Sequence, residues 1–299
     1  MTMPNFLIIG AAKSGTTSLY HYLKQHPQIY MSPIKEPRFF AFDGIKVDFC
    51  GPRDENLNRG TITEIEAYRA LFQAVSNELA IGEASPIYIY NSRAPGRIKH
   101  YIPNVKLIAI LRNPAERAYS SFTGLIRDGR EPLTDFAEAL RQEETRASNN
   151  WSFFWHYKKR GFYYIQLKRY FDLFNREQIK IYLYEDFRDN SLGILKDIFR
   201  FLDVDDTFVP DVSLKHNVSG IPRNRAIHIF LAKPNSIKSI LERIIPERLR
   251  WRMRLGLIHR NLIKTPLRSD VRKHLVQDYR EDILKLQDLI QRDLSRWLE

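Results

Sequence analysis

The sequence is poor in the residues that cross-link a chain or bind metal ions. It has one cysteine, Cys50, which excludes a disulfide within the chain. Its eight histidines are scattered, and the nearest pair, His21 and His26, lacks the spacing of a His-Glu-x-x-His or Cys/His metal site. We therefore expect neither an internal disulfide nor a metal centre.

Long apolar runs are also missing. No segment approaches the ~20 consecutive apolar residues that a membrane-spanning helix needs. The first residues, Met1–Pro4, lead directly into an apolar segment and leave no room for a basic and apolar secretion signal. The scarcity of cysteine is typical of a reducing compartment. These absences predict a cytoplasmic protein.

Acidic residues are too few to balance the basic ones. The chain contains 47 lysine and arginine residues against 35 aspartate and glutamate residues, which gives a net charge of +12. Such an excess can serve solubility, or it can steer a polyanion toward a cleft. Nucleic acid would fit the charge, but the sequence has no RRM, KH, zinc-finger or basic-zipper signature. A small phosphorylated ligand is therefore preferred, and no nucleic-acid partner is predicted.

Strand and helix patterns alternate along the chain, which is typical of an α/β fold with a central parallel sheet flanked by helices. Because the sequence has no internal repeat or low-complexity linker, we expect a single domain with a nucleotide-binding core at about 1–222 and a basic, helical C-terminal region at about 223–299. Thr63 and Glu66 have the spacing of a capping box. The predicted strands are Phe6–Gly10, Ile29–Met31, Leu79–Gly82, Lys106–Leu111 and Ile179–Tyr184. The predicted helices are Thr16–Gln25, Glu64–Val75, Arg93–Tyr101, Pro114–Arg127, Leu133–Glu144, Tyr163–Phe174, Leu192–Leu202 and a long amphipathic helix near Asp270–Trp297.

The first predicted strand runs into a short loop of small residues that opens a helix. Backbone N–H groups and the helix dipole converge at such a loop and favour a phosphate. Gly10 and Gly15 have the spacing of a Walker A loop, but Thr16 stands where that loop has its lysine, and Lys13 precedes the second glycine. An ATP or GTP site is therefore disfavoured. The hydroxyls at the helix start suit a doubly charged terminal phosphate, and they belong to Thr16, Thr17 and Ser18.

A second phosphate-binding candidate follows the apolar run at 105–111, which has the pattern of a strand buried on both faces. Asn113 is a good N-cap, the following proline suits the first helical position, and Glu116 completes a capping-box-like pattern. Arg112 is therefore predicted at the carboxyl end of a strand, where open α/β sheets bind ligands. Ser120, two turns into the helix, is expected to face the same crevice.

These two segments together resemble sulfotransferases that use 3′-phosphoadenosine 5′-phosphosulfate (PAPS). Ala12–Leu19 is similar to their 5′-phosphosulfate loop, which is P-loop-like, and Arg112–Ser120 is similar to their 3′-phosphate segment. The pattern is nearest to the bacterial and glycan-type members. Further similar segments are Lys35–Phe40, Gly82–Pro86, Gln178–Phe187, and Asn217–Gly220 with Arg223 and Arg225.

The resemblance implies PAPS as the sulfuryl donor and adenosine 3′,5′-bisphosphate (PAP) as the product. It also implies transfer without a metal ion, to a hydroxyl or, as a less favoured acceptor, to an amine. It gives Lys13 the role of offsetting charge on the leaving phosphate. Glu36 matches the glutamate of an E-x-x-F-F segment that acts as general base, whereas spacing alone favours an ion pair of Glu36 with Lys35 or Arg38. The implied donor-binding residues are Lys13, Ser14, Gly15, Thr16, Thr17, Ser18, Arg112, Ser120, Ser219, Gly220 and Arg223.

Two departures from the glycan type concern the late loop and the acceptor. Those relatives have a Ser-Lys-Gly-Arg loop, and the corresponding residues 219–223 of this chain lack the lysine. Lys215 is a weak candidate to replace it. Where glycan 3-O-sulfotransferases carry Glu-Lys-Thr-Pro, this chain has Ala84 between Glu83 and Ser85. A heparan-like acceptor is therefore not expected. Glu83 remains either a second polar group at the cleft or a support for Lys13 or a backbone N–H.

The acceptor class stays open between a small molecule, a glycan, a lipid and a carrier-bound hydroxyl. The basic stretch Arg243–Arg260 fits either a packed helix pair with solvent-facing arginines, which we favour, or a surface for a membrane or carrier protein. Alternatives to a sulfotransferase are a P-loop kinase and a non-catalytic nucleotide-binding module. A P-loop kinase should have a Walker A lysine, which this chain lacks. A non-catalytic module should lack a base, whereas this chain has Glu36.

Overall fold

Five parallel strands form the centre of the computed structural model, which describes residues 2–213, 220–223, 261–263 and 265–299. Their order in the sheet is β2-β3-β1-β4-β5, and each neighbouring pair is parallel. The strands are β1 Phe6–Gly10, β2 Ile29–Met31, β3 Ala80–Ala84, β4 Lys106–Leu111 and β5 Ile179–Leu183. The sequence prediction of an α/β fold around a parallel sheet is confirmed.

Helices connect the strands and cover both faces of the sheet. In the described part of the chain they are α1 Thr16–Leu23, α2 Phe39–Phe42, α3 Asp54–Gly60, α4 Ile65–Ala70, α5 Ala94–Tyr101, α6 Pro114–Arg127, α7 Phe136–Arg141, α8 Glu143–Ser148, α9 Tyr163–Phe171, α10 Tyr184–Asp189, α11 Ser191–Phe201 and α12 Ser269–Ile290. Short 3-10 turns lie at Phe153–Trp155, Lys159–Gly161, Arg176–Gln178 and Ser295–Trp297. A small antiparallel pair joins β6 Ile221–Pro222 to β7 Leu262–Ile263.

The continuous apolar runs of β1 and β4 follow from burial on both faces. Leu7 and Leu107 belong to one hydrophobic cluster, whereas Ile8 and Ile108 belong to a second cluster across the sheet. Because successive side chains point to opposite faces, a strand covered on both sides needs apolar residues at every position. Helices α1 and α11 contribute to the second cluster, and α6, α9 and α12 contribute to the first.

Several predicted boundaries are wrong for local reasons. The predicted helix Leu133–Glu144 is two helices that meet at Gln142, and the first begins only after Asp135, whose side chain accepts a hydrogen bond from the Glu138 N–H. The capping box of Thr63 and Glu66 is absent, because Glu64 is the N-cap of α4 and makes no side-chain cap. The predicted C-terminal helix ends at Ile290, where Gln291 adopts a left-handed conformation. Helices α2, α3 and α10 were not predicted.

The C-terminal helix α12 packs against α9 and α6. Asp282 accepts a hydrogen bond from the Tyr164 N–H at the start of α9 at 3.0 Å, and Arg272 reaches Glu116 on α6 at 3.2 Å. At the end of the chain, the Asn113 side-chain amide donates to the carbonyl of Trp297 at 3.3 Å. Residues far apart in the sequence therefore fix the start of α6.

Replacing Asn113 with alanine is expected to lower the free energy of unfolding by about 1 kcal/mol. The Asn113 side chain accepts from the N–H groups of Ala115 at 3.0 Å and Glu116 at 3.2 Å, so alanine leaves both donors of the first turn uncapped. Urea denaturation with an unchanged m-value measures the loss. Asn113→Asp retains the acceptor and should recover the stability; an equal loss in both variants would assign the stability to the bond with Trp297 instead.

Candidate active site

A cleft of about 640 Å³ opens at the carboxyl ends of β1, β4 and β5. This is the edge at which open α/β sheets bind ligands, and the volume is typical of a small-molecule site. We call the first half of the cleft the lining residues that include the two phosphate-binding candidates of the sequence, and they are Ala12, Lys13, Gly15, Thr16, Thr17, Ser18, Tyr22, Arg112, Ser120, Tyr184, Phe187, Arg188 and Gly220. The remaining lining residues, called the second half, include Glu36, Pro86, Ile87, Leu125, Arg127, Arg130, Phe153, Phe154 and Arg160.

The loop after β1 is shaped by two residues with left-handed backbone angles. Lys13 has φ 71° and Gly15 has φ 91°. A side chain at Gly15 would lie 3.2 Å from the Phe187 ring, so glycine suits both the angle and the contact. Gly15 is also the N-cap of α1, and having no side chain it leaves the first N–H groups of the helix open to an anion. Ser14 is fully buried and does not line the cleft.

Lys13 is a cation in a crowded positive environment. Its Nζ lies so close to α6 that a side chain added at Gly124 would come within 2.9 Å of it. The pKa of Lys13 is lowered to about 8, mainly by burial. The nearby charges of Arg127, Arg112 and Arg160 contribute to this lowering and outweigh the opposite effect of Asp128. An anion in the cleft would relieve this repulsion.

Arg112 leaves the end of β4 and lies beside the same loop. Its Nη1 donates to the carbonyl of Lys13 at 3.3 Å, and its guanidinium stacks 5.0 Å from the Tyr184 ring centroid. The alternative ion pair with Glu116 is long, at 3.8 Å, and Glu116 lies closer to Arg272. Ser120 also lines the cleft from α6, almost completely buried. The structure thus brings both phosphate-binding candidates of the sequence into one cleft.

Glu36 faces the cleft while it is held by two cations. Its carboxylate is 2.8 Å from the Lys35 Nζ and 2.9 Å from the Arg38 Nη2, and its side chain is 28% exposed. Glu36 has φ 63°, and its N–H donates to the carbonyl of Ala84 at 3.0 Å. Burial alone would raise the pKa of Glu36, but Lys35 and Arg38 outweigh it and hold the pKa at about 2. Glu36 therefore lines the cleft and is ion-paired at the same time.

Glu83 does not line the cleft but lies fully buried behind Glu36. Its carboxylate accepts from the Ser85 hydroxyl at 2.9 Å, and the Ser85 oxygen accepts from the Arg38 N–H at 3.1 Å. Burial raises the pKa of Glu83 to about 7. Of the two roles considered from the sequence, the structure therefore gives Glu83 the support of a backbone N–H, through Ser85. That N–H belongs to Arg38, in the segment that carries Glu36.

The late loop is only partly described. Gly220 lines the cleft, whereas Arg223 is exposed, does not line it, and donates its N–H to the carbonyl of Asn261 at 2.7 Å. The remaining candidates lie outside the described residues, and they are Ser219, Lys215, Arg225 and the basic stretch Arg243–Arg260.

The sequence prediction missed the cations of the second half of the cleft, Arg127, Arg130 and Arg160. They come from the end of α6, the following loop and a 3-10 turn, and no motif marks them. Phe39 and Phe40, which follow Glu36, are fully buried core residues, as predicted.

Among the residues that the structure describes, no three histidine, cysteine, aspartate or glutamate side chains cluster as a metal ion would need. None of the helices in these ranges has both the length and the apolar character required to cross a membrane.

Comparisons with known proteins give a consistent result. A model described as the sulfotransferase family matches residues 4–208. A solved sulfotransferase from Alicyclobacillus acidocaldarius shares 35% identity, with a TM-score of 0.79 and 100% of both chains covered. The membrane-associated sulfotransferase kil1 of Dictyostelium discoideum is 36% identical over 151 residues, 48% of this chain and 28% of that protein. Human carbohydrate sulfotransferase 15 is 26% identical over 250 residues, 68% of this chain and 44% of that protein. The chain thus spans less than half the length of these curated relatives.

Proposed function

Since the chain belongs to the sulfotransferase family, we propose that it transfers a sulfuryl group from PAPS to a hydroxyl group of an acceptor and releases PAP. One observation carries the proposal. The phosphate-binding loop with Lys13, the pair Arg112 and Ser120, and the carboxylate of Glu36 all line a single cleft.

The first half of the cleft has the groups that a nucleotide with phosphates at both ends requires. The open N–H groups at the start of α1 and the hydroxyls of Thr16, Thr17 and Ser18 would hold the 5′-phosphosulfate. Arg112 would bind the 3′-phosphate through its guanidinium, and Ser120 would add a neutral donor. The stacking of Arg112 on Tyr184 supports this role because it fixes the plane of the guanidinium.

Sulfuryl transfer requires that the acceptor oxygen, the sulfur and the leaving oxygen be held in line. The bond from sulfur to the 5′-phosphate oxygen breaks with its electron pair on that oxygen, whose charge Lys13 offsets. The acceptor oxygen forms the new bond to sulfur, and its proton passes to Glu36. The ion pairs of Glu36 keep it ionised at physiological pH but lower its basicity, so the proton moves to it only as the new bond to sulfur makes the acceptor hydroxyl acidic. Side chains of this chain then neutralise the developing charge, without a metal ion.

The acceptor is proposed to carry a hydroxyl, with an amine as the second choice. Its carrier can be a small molecule, a glycan, a lipid or a protein-bound group, because apolar residues such as Ile87 and Phe153 line the second half of the cleft beside arginines. We further propose that a single domain carries the activity in the cytoplasm.

Thermal unfolding with nucleotides tests the donor assignment without knowledge of the acceptor. PAP at ~100 times its dissociation constant should add about 2.7 kcal/mol to the free energy of unfolding and raise the Tm by several degrees. 5′-AMP, which lacks the 3′-phosphate read by Arg112, should give a smaller shift at the same concentration. Greater stabilisation by ATP with Mg²⁺ than by PAP would contradict the proposal and favour a P-loop kinase.

A further inference from the structure

Arg160 lies in the 3-10 turn before α9 and lines the cleft, yet only 5% of it is exposed. Its Nη1 donates to the carbonyl of Phe153 at 3.4 Å, and its guanidinium lies 5.6 Å from the Phe153 ring centroid. Within the described ranges, no carboxylate lies at ion-pair distance from it. A guanidinium has five N–H donors, so most of those of Arg160 are left for a ligand.

Two other arginines, half-buried Arg130 and buried Arg146, are each paired with a carboxylate. Arg130 is paired with Asp54 at 2.6 Å, and Arg146 is paired with Glu131 at 2.7 Å. Such pairing is the usual requirement for burying a charge, because an unpaired buried ion loses its hydration without compensation. Buried Arg117 also lacks a carboxylate at ion-pair distance in the described structure, but it does not line the cleft. Arg160 does line it, so its remaining donors are open to an anion from outside the chain.

The surroundings of Arg160 add to this requirement. Burial and, after it, the charge of Arg117, which is also buried, together lower the pKa of Arg160 to about 10. Arg117 is held by the Ser121 hydroxyl at 3.3 Å and by the carbonyl of Tyr157. Arg117 and Arg160 are thus two buried cations that repel each other, and Arg160 lines the cavity whereas Arg117 does not.

The position of Arg160 identifies which anion this is. Its charge contributes to the lowered pKa of Lys13, and the charge of Glu36 favours the protonated form of Arg160. Arg160 is therefore within electrostatic range of both residues. On the proposed function, the sulfur leaves a phosphate held at Lys13 and joins an oxygen beside Glu36, so its non-bridging oxygens must lie between these two groups.

We propose that Arg160 donates hydrogen bonds to the non-bridging oxygens of the sulfuryl group of PAPS and holds them during transfer. This assignment rests on the proposed function. Arg160 gives up no proton: the bond from sulfur to the phosphate oxygen breaks, the acceptor oxygen bonds to sulfur, and the acceptor proton goes to Glu36. The planar, fork-like guanidinium matches two oxygens of one group, as it does for carboxylates and phosphates.

PAPS and PAP form a matched pair of probes, because PAP has both phosphates but no sulfuryl group. In Arg160→Gln the affinity for PAPS should fall by about ten- to hundred-fold while the affinity for PAP changes by less than about two-fold. Arg160→Lys keeps the charge without the fork and should show a smaller loss that is again confined to PAPS. Arg141→Gln, which removes an exposed arginine remote from the cleft, should bind both ligands as the unaltered protein does.

The ratio of the affinities for PAPS and PAP distinguishes a wrong assignment of Arg160 from a wrong proposed function. An equal loss for PAPS and PAP, or no loss for either, would overturn the assignment of Arg160. If the unaltered protein binds neither ligand, the proposed function itself fails, and this assignment with it. Circular dichroism and the Tm establish that each variant is folded; if Arg160→Gln is not, the ratio in Arg160→Lys decides.

Discussion

Replacement of Glu36 by glutamine lowers the rate of sulfuryl transfer by about 10²- to 10⁴-fold and leaves the affinity for PAP nearly unchanged. Glutamine keeps the size of the side chain but cannot take the acceptor proton. Glu36 lines the same cleft as the donor-binding candidates, but the proposed contacts of the nucleotide phosphates are with the loop before α1, Arg112 and Ser120, so donor binding should persist. Turnover of PAPS with an acceptor found by screening glycans, lipids and carrier-bound hydroxyls measures the rate, and thermal shifts with PAP measure binding.

The pH dependence of the same reaction gives an independent test of Glu36. Its pKa is lowered to about 2, so the carboxylate stays ionised as the pH falls and is lost only near that value. Between about pH 5 and 7, protonation of Glu36 should therefore cause no fall in kcat/KM.

A matched control removes a glutamate with similar pairing elsewhere. Glu138 on α7 is paired with Arg141 and does not line the cleft, so Glu138→Gln should transfer sulfate at the normal rate. If Glu36→Gln also does so, the base is another group and Glu36 serves only its ion pairs.

Replacement of Lys13 by methionine lowers the rate by about 10²- to 10³-fold, because the leaving phosphate loses the charge that is placed to stabilise it. Methionine fills similar space against Gly124 on α6. Unlike Glu36→Gln, this variant should also weaken PAP binding, since the same cation contacts product and transition state. Lys24→Met, at the opposite end of α1, is the control and should leave both quantities unchanged.

The pKa of Lys13 adds a pH signature to this prediction. With a pKa of about 8 in the free protein, Lys13 is protonated below that pH and loses its charge as the pH rises through it. PAP should therefore bind more weakly above pH 8, and the trend should be flat in Lys13→Met because the ligand phosphates stay ionised above about pH 7. An equal trend in both proteins would mean that another group titrates.

The parts of this molecule that the sequence predicts best are those with local signals. Strands β1 and β4 match their predicted bounds because burial on both faces requires unbroken apolar runs. The loop with Lys13 and the segment beginning at Arg112 follow those strands directly, so the parallel sheet brings them together. The ion pairs of Glu36 were also predictable, since Lys35 and Arg38 are close in sequence.

What the sequence does not predict depends on contacts between distant segments. Arg127 and Arg160 line one cavity although their numbers differ by 33, and neither belongs to a recognisable motif. The link from Glu83 through Ser85 to the Arg38 N–H joins a strand end to a loop about fifty positions earlier, so its support of Glu36 is visible only in the fold. Weak local signals can also mislead. Thr63 and Glu66 have the spacing of a capping box, but the helix starts at Ile65 with Glu64 as its N-cap.

The family match ends at residue 208, yet α12 and the turn at Trp297 hold the helix that begins beside Arg112. The motifs and the parts that steady them are thus far apart in this sequence. Changes at 269–299 alone can therefore alter donor affinity while the Lys13 loop and the Arg112 to Ser120 segment stay the same. Transplanting only the recognised motifs into another protein would leave their scaffold behind.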